Sequence, residues 1–448
     1  MISGQAPANE DVKQLEAILR RIEAEPLDVV MARERSTFDE LAAPLGEKIV
    51  LFGAGSLGKD VLAGLRKAGV EPLAFADNRI GADRRKLEEQ KQEGDRRKKR
   101  DRRRREKAFF GADASSAYPV VDPASRIGSN NASQPQVMGL PVISAAEAVE
   151  RFGQSACFVV SIYQGSAVRR QLAALGVRRV VPYAPLLWKY ADVFIPQSGL
   201  DLPHHLRAQF GAIRECYGRL GDELSRRDLR EQLLWRCWLD FAVLSTPLAA
   251  SDIYFPMDLL SPLPDEVFVD CGSFDGDSIR SFNRHWEGEF RHAFAFEPDP
   301  VNCTALASNM EAMYIGDRVT VMPYAVGNMN GEVSFACNSS MGSHVTTDAG
   351  STIECRRLDD IEWPLRPTYI KMDVEGAEVD ALAGASALLR RQQPVLAICT
   401  YHRSNHLWQI PNLIHSIVPE YNLFARRYGE ECWEGVCYAI PSRRLKRA

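Results

Sequence analysis

The feature that most constrains this chain lies in its C-terminal half, where five apolar runs each end in a short cluster, four of them polar. EVFV leads into DCGSFDGDS at Asp270, RHAFAF into FEPDP at Glu297, and VTVMP into Ala325-Val326-Gly327. PTYIKM runs into Asp373, Glu375 and Glu378, and PVLAIC into Tyr401 and His402. Short continuous apolar runs alternating with helix-period segments read as strands buried on both faces, so a parallel α/β sheet with helices on either side is expected. Ligands of such sheets bind beyond the carboxyl ends of the strands, where every one of these clusters falls. The tail YNLFARRYGEECWEGVCYAIP reads as a closing antiparallel pair turning between Gly429 and Gly435.

A second glycine motif stands near the N-terminus. EKIVLFGAGSLGKDVLAGLRKAGVEPLAFADN reads as strand, turn, helix, strand, with Gly53, Gly55 and Gly58 in the turn and Asp77 closing the second strand. That pattern fits a dinucleotide fold: the glycines admit a pyrophosphate, the helix start offers amides, and the acid takes ribose hydroxyls. No Tyr-x-x-x-Lys pair or other hydride-transfer constellation accompanies it. Nucleotide binding and a purely packing Rossmann-like module therefore stay open side by side. The expected organisation is a helical segment over 1–45, with Val12, Leu15, Ile18, Leu19 and Ile22 at helical spacing. A Rossmann-like parallel-sheet domain follows over 46–80 and 138–200, then a helical connector over 201–262 and the second α/β domain over 263–448. In the connector a helix is expected from near Ser225, with Asp228 as the acid of a capping box.

Composition excludes several classes. The 448 residues are 45% apolar, enough to fill the cores of two or three domains. No apolar stretch approaches the roughly 18–20 residues of a membrane-spanning helix. The start MISGQAPANEDVKQ has neither a basic nor an apolar region, so no signal peptide is read. Ten cysteines without a CxxC pair imply reduced thiols, no structural zinc and a cytoplasmic setting. The net charge of −4 conceals a basic cassette: residues 83–107 hold fourteen Lys and Arg against seven Asp and Glu. With the polar stretch that follows, 81–137 reads as a charged disordered insertion. No aromatic residues interleave its arginines, so no specific nucleic-acid partner is expected.

DCGSFDGDS, FEPDP, YAVG and IKMDVEGAE, in this order and spacing, resemble FkbM-type methyltransferases, a class I S-adenosylmethionine-dependent family. The resemblance covers roughly 265–441. The upstream halves are similar to family members that carry a Rossmann-like N-terminal domain and a helical connector. It implies a seven-stranded, mostly parallel sheet with an antiparallel final strand. It also implies S-adenosylmethionine as cofactor and in-line, O-directed methyl transfer to a small-molecule or saccharide-like acceptor. Asp270, Gly272, Asp275 and Gly276 would lie in the first cofactor loop, Gly272 clearing room for the methionine moiety. Asp270, Asp275 or Asp277 would hold the ammonium group. Glu297 would take both ribose hydroxyls, and Ala325 and Val326 would flank the adenine. His402, with a free pKa near 6.5, is favoured as base, with Asp373 orienting it or serving as base itself. Glu375 and Glu378 suit the helix start that follows. Asp373, Glu375 and His402 are possible metal donors, but their spacing is not that of a metal motif, and no metal is expected. The alternative is a module binding NAD or a nucleotide sugar in the N-terminal domain, with the C-terminal sheet as a non-catalytic scaffold.

Overall fold

Hydrophobic alternation sets the architecture of the chain's C-terminal sheet. The computed structural model describes residues 9–80, 135–196, 198–336, 344–345 and 351–446. They fall into two compact units, one of Phe38–Tyr183 and one of Met1–Thr37 with Ala184–Ala448.

The smaller unit is a six-stranded sheet of β1 (Ile49–Phe52), β2 (Ala74–Asp77), β3 (Gln136–Val137), β4 (Leu140–Ser144), β5 (Cys157–Val160) and β6 (Arg179–Pro182), in spatial order β3-β4-β2-β1-β5-β6. All its pairings are parallel except that of β3 with β4. β1, β2 and β5 are buried along their whole length, as continuous apolar runs dictate. Most of the expected insertion lies outside the described residues. At its end Gln136–Val137, read from sequence as part of it, form β3 against β4.

In the larger unit a seven-stranded sheet is built from β7 (Val267–Cys271), β8 (His292–Phe296), β9 (Val319–Met322), β14 (Tyr369–Met372), β15 (Val395–Cys399), β16 (Asn422–Arg427) and β17 (Gly435–Ile440). Its order is β16-β17-β15-β14-β7-β8-β9, and β17 alone runs antiparallel to its neighbours. The switch point lies between β7 and β14, where the chain leaves in one direction to β8 and β9 and returns on the other side. Period two divides the faces. Val267, Val269, Ile370, Met372, Leu396 and Ile398 join one core, and Phe268, Tyr369, Val395, Ala397 and Cys399 the other. Phe255 seals the second face against Phe268, Phe282, Trp286 and Tyr369 at centroid distances of 5.6–5.8 Å.

Two expectations shift here. The third strand of this sheet ends at Met322, and Ala325–Val326 instead form β10 of a separate four-stranded sheet, with β11 (Gly331–Ala336), β12 (His344–Val345) and β13 (Ser351–Arg356). Pro323 has no N–H for a ladder and breaks the run. The N-terminal helix Asn9–Ala24 packs within the larger unit, its Leu15, Leu19 and Ile22 meeting Phe210, Ile213, Leu229 and Leu233.

The second connector helix runs from Glu223 to Trp238 and is capped by Asp222, which accepts from the amide of Ser225 at 2.9 Å. Asp228, read as the capping acid, is buried a turn further on and binds the guanidinium of Arg427 at 2.9 Å. Asp222 also receives Arg426 Nη2 at 2.6 Å. Burial works to raise the Asp222 carboxyl, but Arg426 and Ser225 outweigh it and hold the group below the usual carboxylate range. Asp222→Ala leaves the buried Arg426 with only the more distant Asp258 at 3.4 Å and should cost about 2–4 kcal/mol, with Asp222→Asn costing less because it keeps the cap. Since the folded pKa is depressed, the contribution is complete above the unfolded value near pH 3.9 and fades as pH falls below it. Urea unfolding of both variants across pH 3–7 checks the size and the sign.

Candidate active site

The residues at the switch point are organised by one cross-strand pair. Asp270 on β7 and Lys371 on β14 stand opposite each other in register, both on the aromatic face of the sheet. The Lys371 ammonium lies 3.0 Å from Asp270 Oδ1 and donates to the carbonyl of Gly272 at 2.7 Å. Both side chains are at most 1% exposed. Burial raises the Asp270 carboxyl to about 6 despite its lysine partner. Burial disfavours the Lys371 cation too, yet Asp270, Asp373 and Asp277 hold it above its ordinary value. Asp270 thus faces a lysine within the sheet, where a cofactor ammonium was anticipated.

Gly272 and Gly276 earn their places by backbone geometry. At Gly272, φ is +80° and a Cβ would stand 1.9 Å from the carbonyl oxygen of Asp373, so the glycine lets the β7 loop cross the end of β14. The reserved space is filled by that carbonyl, where room for the methionine moiety was expected. Gly276, at φ +86°, would meet Met310 Cε at 2.5 Å, and it stands directly before the helix Asp277–His285. Between them Asp275 Oδ1 carries no hydrogen bond, with Arg280 3.6 Å away.

Glu297 turns toward the same loop. Its Oε2 accepts from the Phe274 amide at 2.9 Å, and Oε1 accepts from the Asp299 amide at 2.9 Å and from Asn302 at 3.3 Å. Burial raises its carboxyl, partly offset by these donors. Glu297 and Gly272 therefore share one sheet edge, as a carboxylate meant for a diol near that loop requires. Ala325 and Val326 are buried and pair with Cys355 and Arg356, the Val326 side chain joining Leu358 and Ala381 in the core.

The opposite side of the switch point holds Asp373, Glu375, Glu378 and His402. Asp373 Oδ2 accepts from Tyr254 Oη at 2.7 Å and Oδ1 from Tyr401 Oη at 3.4 Å. His402 Nδ1 lies 2.7 Å from Glu378 Oε1, and its Nε2 lies 3.3 Å from Asp373 Oδ1 and 3.6 Å from Glu375 Oε2. Burial works against the imidazolium, but Glu378, Asp373 and Glu375 push the His402 pKa up to about 10. At neutral pH the ring is therefore held as a cation, which argues against the base role favoured from its free pKa. Glu378 is a structural anchor. Fully buried, it accepts from Val374 N at 3.0 Å as well as from His402, and His406 lies 3.2 Å from its other oxygen. Burial raises its carboxyl, but the two histidines more than reverse this and set it below the ordinary range. Burial lifts Glu375 to about 7, with His402 opposing, and lifts Glu434 to about 7 with help from Asp373. Glu375 itself is left-handed, at φ +52°, a conformation that costs energy in a non-glycine residue.

Sequence reasoning missed Lys371, Tyr254 and Glu434 and gave Tyr401 no role. A lysine inside the run YIKM was the one readable signal, since a buried strand tolerates it only beside an acid.

In the smaller unit Gly53, Gly55, Ser56, Asp77, Asn78, Arg79, Ser161 and Tyr163 help line a cavity of about 270 Å³. Gly58 would meet the Gly53 carbonyl at 2.0 Å, while a Cβ on Gly55 would meet nothing within 4 Å. Asp77 accepts from the Ala54 amide at 3.2 Å and from the Arg79 guanidinium at 2.8 Å. Burial acts to raise its carboxyl, but Arg79 and the Ala54 amide prevail and lower it.

Residues 270–431 match the family model described as the methyltransferase FkbM domain. The crystal structure of methyltransferase FkbM from Methylobacillus flagellatus aligns over 96% of this chain and 100% of its own, at 20% identity and a TM-score of 0.65, a likeness of fold. A putative rRNA methylase from Clostridium thermocellum aligns over 46% of this chain and 100% of its own (9% identity, TM-score 0.31). A putative methyltransferase from Streptococcus mutans in complex with SAH aligns over 42% of this chain and 94% of its own (10% identity, TM-score 0.28). No curated protein matches the chain.

Removing Lys371 strands a buried carboxylate. Lys371→Met should destabilise the fold by about 3–5 kcal/mol, and adding Asp270→Asn should recover much of that loss. Thermal and urea unfolding of the single and double variants read the coupling.

Proposed function

We propose that this protein, which carries an FkbM methyltransferase domain over residues 270–431, transfers a methyl group from S-adenosylmethionine to a hydroxyl oxygen of a small, saccharide-like acceptor. One observation carries the cofactor assignment: the Glu297 carboxylate is tied to the Phe274 amide, so an acid suited to a diol and the glycine loop meet at one sheet edge. The donor set fits. Glu297 and Asp275 are acceptor-only groups, matched to ribose hydroxyls and an ammonium, while a diphosphate would be repelled. When bound, the cofactor supplies an electrophilic methyl on a sulfonium.

The chain's own residues orient the acceptor and take its proton. Both ring nitrogens of His402 face carboxylates, so Asp373 is the group assigned to receive the proton from the acceptor hydroxyl. Tyr254 and Tyr401 fix the Asp373 carboxylate, and His402 positions it from the side. The family resemblance alone supplies the saccharide character of the acceptor.

Calorimetric titration tests the reading. S-adenosylmethionine should bind the wild type, Glu297→Ala should weaken binding at least tenfold, and absence of wild-type binding would overturn the assignment. Asp373→Asn should leave cofactor affinity within about twofold and lower turnover by roughly 10²–10⁴. Unchanged turnover would remove Asp373 as the proton acceptor.

A second reading concerns the smaller unit, where the open space over Gly55 and the cavity beside it favour a bound nucleotide. Arg79 must then leave Asp77 for that acid to reach a ribose. NAD or a nucleotide sugar should raise the melting temperature of the full chain and fail to do so in Gly55→Val, whereas no shift with either ligand would dismiss this reading.

A further inference from the structure

Four groups at the ends of β14 and β15 converge on one point. Asp373, Glu378 and His402 offer ligand atoms within 4.8 Å of one another, and Glu375 Oε2 stands 3.6 Å from His402 Nε2. The His402 side chain is 6% exposed, and among the described residues its Nε2 has no hydrogen-bond partner, although it points between Asp373 Oδ1 at 3.3 Å and Glu375 Oε2. Its other nitrogen is committed to Glu378 Oε1 at 2.7 Å.

We propose that His402 Nε2, Asp373 Oδ1 and Glu375 Oε2 form a binding site for one divalent first-row cation, oriented from behind by Glu378 and leaving Asp373 Oδ2 for the acceptor's proton. Three features support it. Ligand atoms about 2.0–2.2 Å from a cation stand roughly 3.0–3.6 Å from one another, and His402 Nε2 stands 3.3 Å from Asp373 Oδ1 and 3.6 Å from Glu375 Oε2. A carboxylate receiving Nδ1–H fixes the ring and directs the Nε2 lone pair outward, as partners behind metal-binding histidines do. The left-handed Glu375 is held where its carboxylate meets the histidine instead of turning to solvent. One imidazole with two carboxylates suits Mn²⁺, Fe²⁺ or Zn²⁺ better than the all-oxygen shells of Mg²⁺ or Ca²⁺. The cation takes the place of the proton on Nε2, which leaves on binding. The sequence spacing did not announce this site, because its ligands come from two different strand ends.

The test uses the full chain stripped with a chelator and titrated with Mn²⁺ alone, the free ion being followed by electron paramagnetic resonance. One equivalent should bind, and Glu375→Gln and His402→Gln should each weaken it at least tenfold while circular dichroism shows both variants folded. A wild type that binds no stoichiometric Mn²⁺, or variants that bind as the wild type does, would overturn the site. Glu375 lies on a part-exposed turn, so its variant keeps the test informative if His402→Gln does not fold. S-adenosylmethionine titrated into the same metal-free protein reads the transferase assignment separately: cofactor binding without Mn²⁺ binding removes the cation site alone.

Discussion

The buried pair of Asp270 and Lys371 is the constraint on which the C-terminal architecture depends. It joins the two strands flanking the switch point, and Lys371 also grips the carbonyl of Gly272. Two charges without water are tolerable only because each has the other and the lysine has a second acceptor. Hydrophobic packing alone would let β7 and β14 slip along each other, whereas this pair accepts a single register. The close passage of the β7 loop over the Asp373 carbonyl follows from that register, and so does the placing of Asp373 beside His402. Stability and chemistry are thus tied to the same few atoms.

Legibility from sequence followed the physics of each signal. Apolar runs ending in acids gave the parallel sheet and the edge where its polar ends collect, because period and strand ends are local properties of the chain. The position of Glu297 at the end of β8, beside the glycine loop, was readable for the same reason. The role of His402 was not, since a histidine's proton affinity is set by neighbours, and Glu378 is 24 positions away. The lysine partner of Asp270 was hidden in the same manner, because it comes from another strand. Ala325 and Val326 were assigned to the wrong sheet because two residues after a proline carry too little pattern to show which strand they pair with.

The capping assignment shows a subtler limit. Asp222 and Asp228 both stand near the start of a helical pattern, and spacing alone does not choose between them. The choice is made by Arg426 and Arg427, adjacent residues on β16 that each claim one of the two acids. Along a strand, neighbours point to opposite faces, so one arginine takes the helix start and the other its second turn.

The N-terminal helix carries a consequence for how the chain is made. Its Leu15, Leu19 and Ile22 find their partners in residues 206–237 and at Leu407 and Trp408. Everything from Phe38 to Tyr183 emerges in between and can complete its own sheet first. During synthesis that amphipathic segment therefore waits with its apolar stripe uncovered until close to two hundred later residues have left the ribosome. Its docking closes a very long loop, one of the slowest kinds of contact a polypeptide forms.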